Sequence, residues 1–355
     1  MTDGFERMRA IADAVLYEGY LLYPYRASSD KNRLRWQFGV LAPRMWSEAT
    51  GLESWWMQSE FLVEGASPTI RGCARFLQPE ARQLEVRSAG SRGFAATERI
   101  ELGGQLYQSF DEAQPREFPF TLSLGGGGSG EVQLATPSVL RIEPLASDPG
   151  EPVARFVRES APLAGRLVWS AEPCAGPRPH WRVRVRCENE TACADPAQPR
   201  DTALRSALVG LHLLFEVEQG AFVSLADPPD WARDAASACE NVRVWPVLAG
   251  AEGDRTLLLA APIILSDHPE VAPESPGDLF DATEIDEILS LRTMTLTDAE
   301  KREARATDPR AAQIIDRCDH LSPELLDRLH GAVRSLRPVA ETADAGAERL
   351  SLIHI

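Results

Sequence analysis

The chain holds 355 residues, 44% of them hydrophobic and 25% charged, a globular mixture with enough apolar material for one large core or two ordinary ones. Its 53 acidic side chains outnumber the 37 basic ones and set a formal net charge of −16 at pH 7. That balance argues against nucleic acid or an anionic membrane as the main partner and leaves a basic protein surface open.

Near the N-terminus, apolar residues fall at Phe5, Met8, Ile11, Ala12 and Val15, the spacing of one helical face, and predict a helix over residues 1–18. Asp3, Glu6, Asp13 and Glu18 interrupt its apolar runs, so the segment does not read as a secretory signal and a cytoplasmic protein is expected. The longest later apolar run, residues 207–215, encloses His212. It is far short of the roughly 20 residues that span a bilayer, and no membrane insertion is expected. Cys73, Cys174, Cys187, Cys193, Cys239 and Cys318 form no C-x-x-C pair and read as free thiols of a reducing compartment.

Tyr17, Tyr20, Tyr23 and Tyr25 lead into a polar turn, after which Trp36, Phe38 and Val40 resume an alternating pattern, predicting two strands around residues 27–32. Tyr23, Tyr25, Arg26, Lys31, Arg33, Arg35 and Trp36 form a candidate partner-binding surface. The plainer reading is an aromatic core strand with a basic rim. Three tryptophans within WSEATGLESWWMQSEF predict a loop or insertion packed on a sheet. Strand-like pieces follow at 59–63, 69–76, 83–86, 98–100, 118–124, 132–145, 153–157 and 167–170, punctuated by Gly, Pro and Ser. Short, evenly spaced pieces favour an antiparallel sandwich or barrel over an α/β sheet.

GGGGSG at residues 125–130 matches the letters of a dinucleotide-binding loop, but strand-like residues and Pro137 follow where a helix N-terminus is required, so it reads as a hairpin tip. HWRVRVRC, residues 180–187, alternates strictly: Trp181, Val183, Val185 and Cys187 on one face, Arg182, Arg184 and Arg186 on the other. Those arginines either dock an acidic partner or pair internally, and internal or solvated pairing is the expectation. Cys187 and Cys193 lack the second pair or the histidines of a zinc site. Asn189 begins a glycosylation sequon that has no consequence without export. His212 reads as a hydrogen-bonded core residue.

Residues 266–282 form an acidic, proline-rich joint carrying Asp267, His268, Glu270, Glu274, Asp278 and Asp281. Asp267, His268, Glu270, Glu274 and Asp278 are candidate ligands for calcium or magnesium, or for nickel or zinc through His268, although their spacing fits no EF-hand or zincin pattern. A hydrated connector with Asp281 as helix cap is the plainer reading, and Asp278 and Asp281 join the candidate partner-binding set. Beyond it, Asp281-x-x-Glu284, Thr297-x-x-Glu300, Asp308-Pro309 and Ser322-Pro323 each mark a helix start.

The expected fold is therefore mainly β, antiparallel, sandwich- or barrel-like, with short C-terminal helices: α+β overall. Its parts are a helix at 1–18, a β-rich domain at 19–265, the joint at 266–282, a helical segment at 283–337 and a linker at 338–349. The last six residues, LSLIHI, match what the mosaic-end adapter of transposase-made sequencing libraries encodes. Residues 350–355 are accordingly expected to be a sequencing artefact on a truncated chain, and His354 enters no site.

Three runs, VLYEGYLLYPYRASSDKNRLRWQFGVL, APIILSDHPEVAPESPGDLFDATEIDEILSLRTMTLTDAEK and ATDPRAAQIID, resemble an uncharacterised family encoded beside high-affinity, actinobacterial-type NiFe-hydrogenases. The resemblance carries no catalytic residue. It implies a non-enzymatic hydrogenase accessory, maturation or assembly factor that docks a hydrogenase subunit or another maturation protein. The alternatives are a metal carrier or metal-dependent enzyme centred on residues 266–287 and a structural subunit of the hydrogenase complex. No catalytic set and no cofactor are expected, a bound metal ion being the one alternative.

Overall fold

The computed structural model describes residues 3–17, 36, 38–88, 93–145, 152–270 and 293–320. Helices α1 (Asp3–Tyr17) and α2 (Arg44–Thr50) lead into β1 (Trp56–Glu64), β2 (Thr69–Arg87), β3 (Phe94–Thr97), β4 (Arg99–Leu102), β5 (Gln105–Gln108), β6 (Phe110–Ser123) and β7 (Gly128–Thr136). Then come β8 (Val139–Leu145), β9 (Ala154–Ser160), β10 (Leu163–Pro173), β11 (His180–Asn189), α3 (Arg200–Leu204), β12 (Val209–Glu218), β13 (Ala221–Val223) and α4 (Arg233–Ser237). Strands β14 (Trp245–Ala249) and β15 (Leu257–Ala261) close the β part, and α5 (Asp298–Arg305) and α6 (Pro309–Asp319) follow.

Apart from β4 and β5, which pair with each other as a two-stranded sheet, the strands form two open antiparallel sheets rather than a barrel, so of the two expected β architectures the sandwich is the one found. One sheet runs β13-β1-β11-β10-β7. The other runs β14-β15-β12-β2-β9-β8, with β6 and β3 on the opposite side of β2. Alternation sends Phe61, Val63, Val183, Val185 and Leu167 inward from the first sheet to meet Ile70, Ala74, Phe76, Leu213 and Phe215 from the second. Phe61 and Phe215 stand 4.8 Å apart at the centre, where aromatic pairs add to plain area burial. The stripe Phe5, Met8, Ile11 and Ala12 lays α1 on the outer face of the second sheet, over Leu214, Leu257 and Leu259.

Strand β2 organises the second sheet: β12 and then β9 pair along one side, β6 and then β3 along the other. Pro79, between two predicted pieces, does not interrupt it. Leu77 is the last residue matched to β12 and Ala81 the first matched to β9, so the missing proline N–H falls in the gap between them. At Gly72 a Cβ would lie 2.3 Å from the Phe120 ring, which covers the bare backbone of its cross-strand partner. Gly210, φ 64°, sits at the β12 irregularity, where a Cβ would come within 3.1 Å of the Leu16 carbonyl oxygen.

The tryptophan-rich run is neither loop nor insertion. Trp46 lies on α2, buried with Ala42, Cys193 and Ala203, and its indole N–H donates to the Gln198 carbonyl at 2.9 Å. Trp56 opens β1. Two indoles in succession at Trp55 and Trp56 stack on guanidinium groups, Arg44 over Trp55 at 4.4 Å and Arg186 over Trp56 at 3.9 Å.

At the C-terminal side, Thr297 and Glu300 form the anticipated capping box, and Asp308 accepts the Arg310 backbone N–H at 2.7 Å ahead of Pro309. Ala311, Ile314 and Cys318 pack with Leu77, Ala113, Leu204 and Val209. The α5–α6 hairpin is further tied to β2 through Arg82, whose guanidinium donates to the Ala306 carbonyl at 2.9 Å, and to β5 through Gln108, whose amide donates to the Glu303 carbonyl at 3.0 Å. The helices predicted from Asp281 and Ser322 lie outside the described residues, as do residues 350–355.

Candidate docking site

Beyond Phe76 the inward-facing positions of β2 turn polar: Gln78, Glu80 and Arg82, all buried. Their partners include side chains carried by β6, β8 and β9. The Glu80 carboxylate, 1% exposed, accepts from the Arg141 guanidinium at 2.8 and 2.6 Å, from the Ser160 hydroxyl at 3.1 Å and from the Gln114 amide at 3.1 Å. Glu112 accepts from Arg82 at 2.5 Å and from Arg158 at 2.9 Å, and Arg158 also pairs with Glu143. Three arginines thus face three glutamates across β8, β9, β2 and β6. Burial alone depresses the Arg158 pKa, but Glu112 and Glu143 outweigh it and hold it above its ordinary value. A cleft of about 510 Å³ opens beside this lattice, lined by Gln114, Arg141, Glu143, Arg158, Asp308 and Arg310. A buried ion pair with every oxygen spoken for is a frame element, because breaking it strands the surviving charge in a low dielectric.

On β8, Arg141 and Glu143 point into the lattice while Leu140 and Ile142 point to the opposite face, 65% and 55% exposed. The hydrogen-bond phase of the strand follows from one ladder contact. The Arg87 N–H donates to the Val153 carbonyl, so the even residues of β9 face β8, and the matched residues Arg141 and Glu143 face back. Leu140, Ile142 and Pro144 therefore turn their backbone groups toward the outer edge of β8. Among the described residues no strand pairs with that edge.

Of the residues singled out from the sequence, Trp36 is buried in the cluster of Leu16, Val40, Leu204 and Val209, with φ 60°. Tyr23, Tyr25, Arg26, Lys31, Arg33 and Arg35 lie outside the described residues, and so do Glu274, Asp278 and Asp281. Asp267 spends both carboxylate oxygens inside the frame: one accepts from the Ser224 hydroxyl, the other from the Leu248 N–H at 2.8 Å. His268, φ 54°, donates its backbone N–H to the Leu248 carbonyl at 2.7 Å, and its buried Nδ1 has no protein partner. Among the described residues no group of three or more His, Cys, Asp or Glu side chains is arranged to hold a metal ion.

The other polar groups of interest are likewise spent on structure. Arg182, Arg184 and Arg186 pair with Glu172, Glu60 and Glu188, the internal pairing expected of them. Asn189 is fully buried, donating to the Leu41 and Ser206 carbonyls at 2.7 and 2.9 Å, so its sequon is an interior staple. His212 is fully buried, its Nδ1 2.8 Å from the Gly210 carbonyl; burial, then the nearby Arg75 charge, push its pKa down to about 3 and keep the ring neutral. Burial also pushes the thiols of Cys73 and Cys239 up to about 11 and about 12, and that of Cys187 upward, which removes the thiolate a nucleophile needs.

The Arg–Glu lattice carries no sequence motif, since Glu80, Glu112, Arg141 and Arg158 meet only through strand pairing. The one local signal was the alternation of VLRIEPL, apolar and charged by turns. Among the described residues no helix is long and apolar enough to cross a membrane. The chain matches no protein-family model, and no curated protein matches it.

Proposed function

We propose that this protein is a non-enzymatic accessory factor for the maturation or assembly of a NiFe-hydrogenase, acting by docking a hydrogenase subunit or another maturation protein. The observation that carries the docking half is how the ionisable residues are used. Glu60, Glu80, Glu112 and Glu188 are each matched to arginine, and Asp267 holds Ser224 and Leu248 in place. Among the described residues these groups build a frame and do not converge on a common point where a reacting atom would sit. The hydrogenase half rests on the resemblance of residues 15–41, 261–301 and 306–316. Co-purification from a hydrogenase-expressing host is the test. Recovery of a hydrogenase subunit or maturation protein is the expected result, and normal hydrogenase maturation in a deletion strain would sink the role.

A second reading, a metal carrier or metal-dependent enzyme centred on residues 266–287, is favoured by the unpartnered Nδ1 of His268. Calorimetric titration with calcium, nickel and zinc separates the two, because a heatless titration removes the carrier. Stoichiometric retention in the finished complex would instead mark a structural subunit.

A further inference from the structure

The open edge of β8 fits one partner by both hydrogen bonding and charge: a second copy of itself. We infer that two copies associate through antiparallel β8–β8 pairing across a two-fold axis at Ile142, joining their larger sheets into one. Exposed strand edges are commonly blunted by lysine, bulges or covering elements. Here Leu140 and Ile142 are instead exposed, and both direct backbone N–H and C=O groups outward.

The register follows from the side chains. With Ile142 opposite Ile142 of the second copy, Arg141 faces Glu143 of that copy, and the reverse holds on the other side of the axis. A slip of two residues in either direction sets Arg141 against Arg141 or Glu143 against Glu143, which is repulsive. A slip of one residue puts outward-facing backbone against inward-facing backbone and loses the ladder. In the chosen register the Ile142 N–H groups donate reciprocally to the Ile142 carbonyls, and each Leu140 N–H donates to the Pro144 carbonyl of the second copy. Only the Leu140 carbonyls lack a donor, because proline has none. The lattice then continues across the axis, with Arg141 lying between Glu80 of its own chain and Glu143 of the other. On the opposite face Leu140 and Ile142 of both copies form one apolar band. Such a contact is isologous and closes at two copies, so it yields a dimer rather than a fibre.

Sedimentation of the full chain at about 100 μM tests this, a concentration at which even a micromolar Kd gives nearly complete association. The expected wild-type mass is twice 39.0 kDa. Ile142→Lys, which sets two like charges on the axis at an exposed position, should weaken the dimer by about a hundredfold, with an unchanged thermal midpoint at about 0.1 μM, where both chains are monomeric. Pro144→Val, which adds an outward donor in each copy, should tighten it by about tenfold. A monomeric wild type overturns the inference. So does a dimer indifferent to both substitutions, which would place the axis elsewhere.

Discussion

Strands β6 and β8 each lie along a border of the larger sheet, and they treat that border in opposite ways. In β6 the Leu124 N–H donation to the Pro68 carbonyl sets the phase, so the even residues face β2 and the odd residues face outward. Two of those outward positions are Pro115 and Pro119, which present no donor, and a third, Glu117, is held by Arg9 and Arg75. The edge is blunted without cost to the ladder, because a proline there removes an N–H that no strand among the described residues pairs with. In β8 the outward positions are Leu140, Ile142 and Pro144, so two of three keep their donors and carry apolar side chains into solvent. The contrast teaches that a border is closed where proline breaks the run of outward donors, as Pro115 and Pro119 do on either side of Glu117, and open where two donors in succession, on Leu140 and Ile142, coincide with apolar side chains in solvent.

The largest expected effect comes from cutting the lattice between these borders. Glu112→Ala leaves Arg82 buried without its carboxylate and should cost roughly 3–5 kcal/mol in urea unfolding. Glu131→Ala on the exposed rim of the smaller sheet should cost less than about 0.5 kcal/mol. Equal losses would mean that the lattice is not part of the frame. Next in size is Ile142→Lys, a loss of about 2.7 kcal/mol in self-association without loss of the monomer's folding stability, read by sedimentation at about 100 μM and thermal melting at about 0.1 μM. Pro144→Val should strengthen the same association by about 1.4 kcal/mol. Smallest is the double change Pro115→Val, Pro119→Val, which touches no internal ladder bond and should move unfolding stability by less than about 1 kcal/mol. It should nevertheless make β6 sticky, seen as new concentration-dependent association that Ile142→Lys does not remove.

Much of the fold could be read directly from the chain. The strict alternation of HWRVRVRC located β11, down to which face holds Val183 and which holds Arg184. The stripe Phe5, Met8, Ile11, Ala12 located α1, and Thr297 and Asp308 announced α5 and α6. What escaped was long-range. Residues 69–76 and 83–86 read as two pieces, whereas β2 runs through both, because Pro79 falls where β12 has stopped and β9 has not yet started, which no local pattern shows. The three tryptophans near residue 50 looked like an insertion because nothing local shows Arg186 arriving from β11 to stack on Trp56. The lattice was invisible for the same reason: its members lie on four strands, and only the pairing of β8, β9, β2 and β6 assembles them. In the acidic joint the carboxylate spacing marks Asp267 as a candidate metal ligand, whereas in the fold its carboxylate bonds Ser224 and Leu248 and fastens the chain as it leaves β15.

Amide hydrogen exchange of the full chain at two protein concentrations probes the contrast between the two edges most directly. The account predicts that the Leu140 and Ile142 amides are protected at about 100 μM and exchange freely at about 0.1 μM, whereas the outward Glu117 amide of β6 behaves identically at both. Leu140 and Ile142 amides that ignore concentration, or a Glu117 amide that follows it, would contradict the assignment of β8 as the open edge.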